Sequence, residues 1–256
     1  MKISKIILIV FSCVACIYLF KGITSSMSIP KDTNVLVVGT SPDYPPYEFI
    51  DVKSGEIIGF DIDVVQEIAN RLNKKLQIKD MSFSSLIFGL LTNDVDLVAS
   101  GMTPTERRSR VVSFTSMYLY GLPLVILTIK SHFEPTSFDD LQGKTVAVNL
   151  GYIADMHMSK KSGINLIKLQ SPAQCFMALQ SGSVDAFVCA QSPIKTFLQS
   201  NSHPEQFAVL QIPDTGEDCA FAVNKKNTQL LDEINDALKT MRNDGTLEAL
   251  KQKWEF

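Results

Sequence analysis

Short apolar runs of strand length alternate with helix-patterned segments along most of this chain, and that alternation restricts the fold more than any other feature. Val35 to Gly39 and Val95 to Ser100 suit buried strands. Between them Ile62, Val65, Ile68, Ala69 and Leu72 recur at helical spacing, keeping one face inward. Further helices are expected over Pro172 to Gln180, Gln229 to Met241 and Leu247 to Lys253, with Gly245 separating the last two. Interleaved strands and helices point to an α/β fold rather than to segregated all-α and all-β regions. An internal echo adds to this. Leu90-Leu91-Thr92-Asn93-Asp94-Val95-Asp96-Leu97-Val98 recurs as Ala178-Leu179-Gln180-Ser181-Gly182-Ser183-Val184-Asp185-Ala186-Phe187-Val188, in each case a helix end, a turn, and an Asp leading a buried strand. The echo is compatible with two lobes on one plan, and equally with convergence of helix-turn-strand units.

The first residues set the compartment. Lys2 and Lys5 precede an apolar or small-residue stretch from Ile6 to Phe20 that ends at Lys21. This is the pattern of an export signal, shorter than the roughly 20 residues a spanning helix needs. Residues 1–28 are therefore expected to be a signal peptide or a lipoprotein signal, with Cys13 and Cys16 as alternative lipid attachment points and an uncleaved anchor left open. The protein is expected to be periplasmic or otherwise extracytoplasmic. A net charge of -3 gives no basic footprint for nucleic acid. Cys175, Cys189 and Cys219 are odd in number and lack metal-ligand spacing, so they allow at most one disulfide and read more simply as three small buried hydrophobes.

Two segments carry the chemistry. In Ser100-Gly101-Met102-Thr103-Pro104-Thr105-Glu106-Arg107-Arg108, Thr103 and Glu106 form a capping-box pattern with Pro104 at the first helical position. Free N–H groups at such a start attract an anion, and the Arg108 guanidinium can grip a carboxylate with two prongs. A capped surface helix with solvated Arg107, Arg108 and Arg110 is the plainer alternative. The second segment, Gly39 to Phe49, is stiffened by Pro42, Pro45 and Pro46, so that Tyr44 can be presented to a guest at small entropic cost. A proline-rich turn whose rings plug a lobe edge fits the same residues.

These motifs, followed in order by Gly59-Phe60-Asp61-Ile62-Asp63-Val64, by Lys144-Thr145-Val146-Ala147-Val148 with Gly151, and by Arg242-Asn243-Asp244-Gly245-Thr246, resemble the polar amino-acid-binding proteins of ABC importers. That family is bacterial extracellular solute-binding protein family 3, and the likeness is strongest to its arginine-binding ArtJ type. The resemblance implies a type II periplasmic-binding-protein fold: two α/β lobes joined by a two-strand hinge, lobe 1 from residues 32–120 plus 222–256 and lobe 2 from 121–221. It places the crossings near Tyr120 to Pro123 and Cys219 to Val223. It implies a free amino acid, best L-arginine, held between the lobes by a monomer that performs no chemistry on it and delivers it to a permease and its ATPase.

Carried over by position, Arg108 would take the ligand α-carboxylate, helped by N–H groups near Thr103 and after Gly151. Ser100, Gly101 and Thr103 would face the α-ammonium, and Tyr44 and Phe83 would sandwich the side chain. Glu48 and Asp43 would oppose a cationic side chain. The chain departs from the family pattern at Ser41, where basic-ligand binders often carry Asp. It departs again at Ala190, where an acid usually meets the α-ammonium; Gln191 is the nearest polar substitute, and Glu217 or Asp218 could reach in from the second crossing. Ile153 and Ala154 replace the usual Thr/Ser pair, leaving backbone N–H groups alone. No cofactor or metal is implied. Enzymes related to this fold, cyclohexadienyl dehydratases, would need a cleft general acid, and a ligand-sensing receptor could use the same pocket.

Overall fold

The structure is a computed structural model that describes residues 34–256. The expected signal segment and its Cys13 and Cys16 lie outside the described residues. The chain opens with β1 (Val35–Thr40), then the small strands β2 (Asp43–Tyr44), β3 (Glu48–Ile50) and β4 (Ile57–Ile58), which form a sheet of their own. Helix α1 (Phe60–Arg71), β5 (Lys75–Asp80), α2 (Leu86–Leu91), β6 (Leu97–Val98), α3 (Glu106–Ser109) and β7 (Val112–Phe114) follow. The chain then passes through β8 (Leu119–Leu122) into β9 (Leu124–Ile129), β10 (Thr145–Asn149), α4 (Ile153–Met158), β11 (Asn165–Leu169), α5 (Pro172–Gln180), β12 (Ala186–Ala190), α6 (Gln191–Ser200) and β13 (Phe207–Gln211). It returns through β14 (Glu217–Cys219) to β15 (Ala222–Asn224) and ends in α7 (Thr228–Asn243) and α8 (Thr246–Lys253).

Two five-stranded sheets result, ordered β5-β1-β6-β15-β7 and β11-β10-β12-β9-β13. In both, three parallel strands are followed by an antiparallel one that has just arrived from a crossing. The crossings pair with each other as β8 and β14, with Leu122 opposite Glu217 and Leu119 opposite Cys219. The return crossing begins at Glu217, and Ala222 already pairs with Val98 in the first sheet.

The echoed segments occupy equivalent places. Asp96 Oδ2 accepts from Val37 N at 2.9 Å beside β1, and Asp185 Oδ2 accepts from Thr145 N at 2.8 Å beside β10. Both turns pass through a left-handed residue, Asn93 at φ 59 and Gly182 at φ 71. A half-buried aspartate thus terminates the helix-turn unit and pins it to the neighbouring strand in each lobe.

Helix α1 shows how the first lobe supports the cleft. Its inward residues include Phe60, Val64, Val65, Ile68 and Ala69, each large side chain contributing about 1.5–3 kcal/mol by burial. Its first N–H groups are satisfied by Pro46 O and Tyr47 O at 2.9 Å, which ties the proline-rich loop to the helix start. Gly59, at φ 138, makes this approach possible, because a Cβ there would lie 2.2 Å from Tyr47 O.

The anion-site helix begins later than its sequence predicts. Helix α3 starts at Glu106, and Thr105 rather than Thr103 caps it by accepting from Arg108 N at 3.2 Å. The reason lies upstream: Met102 O accepts from Ala220 N of the return crossing, and Thr103 O accepts from Arg108 Nη1. These carbonyls are committed elsewhere and cannot open the helix. All three cysteines of the described residues are free and buried.

Candidate functional site

The site lies where the C-terminal ends of β1, β6 and β10 face one another. Arg108 is buried, and its guanidinium donates from Nη1 to Thr103 O and from Nη2 to Gly151 O, both at 2.7 Å. Among the described residues it has no carboxylate ion-pair partner. Burial pulls its pKa down to about 10, partly offset by the field of Glu217, so it remains a cation at neutral pH. A desolvated guanidinium held only by carbonyls has Coulombic capacity left for an anion.

Acids surround it. Glu48 is fully buried; its Oε1 accepts from Ser100 Oγ at 2.9 Å, and its Oε2 has no partner. Burial, reinforced by the charge of Asp61, raises its pKa well above the carboxylate range. Burial also pushes Asp43 up to about 6, Asp61 to about 7 and Glu217 to about 8. Asp61 accepts from Gly101 N and from Tyr118 Oη, and Glu217 from Tyr47 Oη at 3.2 Å. The four raised carboxyls cluster around Glu48, on which the charges of Asp61, Asp43 and Glu217 all act, and added positive charge there would relieve them by allowing them to ionise.

Aromatic rings close the site. Phe83 stacks on Tyr152 with centroids 3.9 Å apart and an interplanar angle of 21°. Tyr44 lies 4.8 Å from the same Tyr152 ring, and Arg108 sits over Phe83 at 5.3 Å. Tyr44 Oη meets Cys189 Sγ of the second lobe at 3.5 Å. Gly101 sits at φ +50 beneath Tyr44, where an added Cβ would come within 3.4 Å of the ring. Two cavities of about 450 Å³ flank the stack, each lined from both lobes and sharing Phe83: one includes Arg107, Arg108 and Gly151, the other Ser41, Asp43 and Gln174.

Ser41, Asp43, Tyr44, Glu48, Phe83, Ser100, Gly101, Thr103, Arg108 and Gly151 therefore converge. Their roles are less uniform than the resemblance implies. Ser100 Oγ is engaged by Glu48 and by Ser41 N, and Gly101 N by Asp61, whereas Thr103 Oγ1 is buried without a partner. Ile153 and Ala154 open α4, and their side chains pack into the second lobe's own core. Gln191 does not join the cluster; it is exposed and lines an outer groove with Ile194, Leu198 and Val209. Ala190 is buried at the end of β12, and the acid whose charge acts on Arg108 is Glu217. Tyr152 was not singled out by the sequence, although its place directly after Gly151 in the loop following β10 was a usable signal. No group of three or more metal-ligating side chains occurs, and no helix is long and apolar enough to cross a membrane, among the described residues.

Two sheets of one strand order, a paired double crossing and a cleft with an unpaired buried guanidinium define a two-lobed solute-binding protein. Residues 36–256 match the model of bacterial extracellular solute-binding proteins, family 3, and the chain belongs to that family. It is 31% identical to the arginine-binding extracellular protein ArtP of Bacillus subtilis, over 97% of this chain and 96% of that one. Its fold superposes with a TM-score of 0.80 on a mutant of ArgBP from T. maritima, 38% identical, covering 86% of this chain and 95% of that one. An ancestral arginine-binding protein solved with arginine gives 0.81 at 34% identity, over 86% and 98%, and an ancestral arginine-binding protein has also been solved with glutamine. The chain is thus an extracytoplasmic solute-binding protein of an amino-acid ABC transporter, and not an enzyme.

Proposed function

We propose that the protein captures free L-arginine between its lobes, as a monomer, and hands it to a membrane permease driven by an ATPase. The observation that carries this reading is the buried Arg108 guanidinium, which bonds two carbonyls and no carboxylate. An α-carboxylate arriving there makes charge-assisted hydrogen bonds of about 1.5–3 kcal/mol each. The acids Asp43, Glu48 and Glu217 favour a guest with positive charge at both ends, and the Phe83 and Tyr44 rings suit a flat guanidinium. Glu217 stands in for the acid missing at Ala190. Relatives named for arginine support the same guest. Closure would turn lobe 121–221 against lobe 32–120 plus 222–256 about the β8–β14 pair.

A thermal-shift screen of the ligand-stripped protein against the twenty amino acids, ornithine and citrulline tests this. A guest at 1,000 times its Kd adds about 4.1 kcal/mol, or roughly 8–16 °C for a body of this size. Arginine is expected to give the largest shift. A larger shift with a neutral amino acid removes the arginine assignment, and no shift with any removes the amino-acid reading.

A further inference from the structure

We infer that the Gly151–Tyr152 segment is a built-in competitor for the binding site, taking the positions of the guest's carboxylate and side chain when the lobes close without one. The inference rests on the reading above and deepens it. Gly151 O accepts from Arg108 Nη2 at 2.7 Å, which is the bond proposed for a carboxylate oxygen. One residue on, the Tyr152 ring stacks on Phe83 at 3.9 Å and lies 4.8 Å from Tyr44, the two rings proposed to hold the guest side chain. An acceptor oxygen and a flat face are thus delivered together by one short segment of the second lobe.

The fit is incomplete, and that makes the segment displaceable. Tyr152 Oη is buried without a hydrogen-bond partner, as are Glu48 Oε2 and Thr103 Oγ1 in the same cleft. The segment supplies a ring where an acid-lined site favours a cation, and a neutral carbonyl where Arg108 favours an anion. A guest with carboxylate, ammonium and guanidinium satisfies groups that the segment leaves bare. A guest must replace both the oxygen and the flat face to displace it, so the competitor lowers the apparent affinity of every guest in proportion to the fraction of protein it holds self-packed. The two lobes also meet through Tyr44 Oη and Cys189 Sγ in the buried interior and through Lys195 Nζ and Glu255 at the surface.

The test compares wild type, Tyr152→Ala and Tyr152→Phe, each ligand-stripped, by calorimetry with arginine and by small-angle scattering with and without it. Removing the ring removes the competitor, so Y152A is expected to bind arginine about tenfold tighter. Removing only the unsatisfied hydroxyl favours the self-packed state, so Y152F is expected to bind about threefold weaker. In scattering, wild type keeps one radius of gyration in both conditions, whereas Y152A is expanded without arginine and contracts with it. Weaker binding by Y152A makes the ring part of the guest's own surface and overturns the inference; an unexpanded Y152A without arginine overturns it as well. Failure of all three proteins to bind arginine overturns the ligand reading instead, and the scattering arm still decides whether the ring holds the lobes together.

Discussion

In the first lobe the strand led by Asp96 runs out into Ser100-Gly101-Met102-Thr103 and reaches Arg108, whereas in the second the strand led by Asp185 ends at Ala190 and turns at once into a helix. The same strand order and the same pinned turn therefore carry different chemistry. The first lobe holds Arg108, Asp43, Glu48 and Asp61, and the return crossing adds Glu217. The second lobe contributes the Gly151 carbonyl, the Tyr152 ring and the Cys189 thiol. A repeated fold fixes where strand ends meet, and the loops beyond those ends decide what meets there.

The largest way to break this division of labour is to remove Arg108, the one buried cation among the described residues. Arg108→Ala is expected to weaken every amino acid by about 3–5 kcal/mol, beyond calorimetric detection, as loss of one partner of a buried charge pair does. Retained micromolar affinity would mean that the carboxylate is held elsewhere. Next comes Glu48→Gln, expected to weaken arginine and lysine by about 1.4 kcal/mol, or tenfold, while leaving neutral amino acids nearly unchanged. An equal loss for both classes would take Glu48 out of side-chain recognition.

The acids also give the first lobe and hinge a pH signature. Burial raises Asp43 to about 6, Asp61 to about 7 and Glu217 to about 8. Their folded values exceed their unfolded ones, so the native state holds the extra protons. The stability they add is complete below about pH 4 and is lost as pH rises through 6 to 8. Melting temperature should therefore fall between pH 5 and 8, and Glu217→Gln should flatten the fall. Arginine binding near pH 7 should release protons, seen as a dependence of calorimetric heat on the buffer's ionisation enthalpy. A rising melting temperature over that range would contradict the raised values.

The smallest expected effect sharpens the likeness between the lobes. Asp96→Asn and Asp185→Asn each weaken one equivalent backbone bond, and each should cost about 1–3 kcal/mol of stability without changing the arginine Kd. A change in Kd for one alone would show that the two turns are not equivalent.

Much of this was legible in the sequence because it rests on local pattern. The strand at Val35, the apolar face from Ile62 to Ala69 and the echo follow from nearby residues, whereas Arg108 was singled out by the family resemblance, its local sequence fitting a solvated surface helix at least equally well. What escaped was set by distant partners. The Thr103 cap failed because Met102 and Thr103 carbonyls are taken by Ala220 and by Arg108's own side chain. Tyr152 escaped because its burial depends on Phe83, in the other lobe. Glu217 was visible only as a reserve, since its meeting with Tyr47 spans 170 positions. Gln191 followed from adjacency to Ala190, but the start of α6 turns it outward.

The most direct test of the account is calorimetric titration of the ligand-stripped protein with arginine and with agmatine, which keeps the guanidinium and lacks the carboxylate. Arginine is expected to bind with micromolar or better Kd and agmatine at least a hundredfold more weakly, because only arginine satisfies Arg108. Equal affinity for the two, or none for arginine, would contradict the assignment of Arg108 as the anchor of the site.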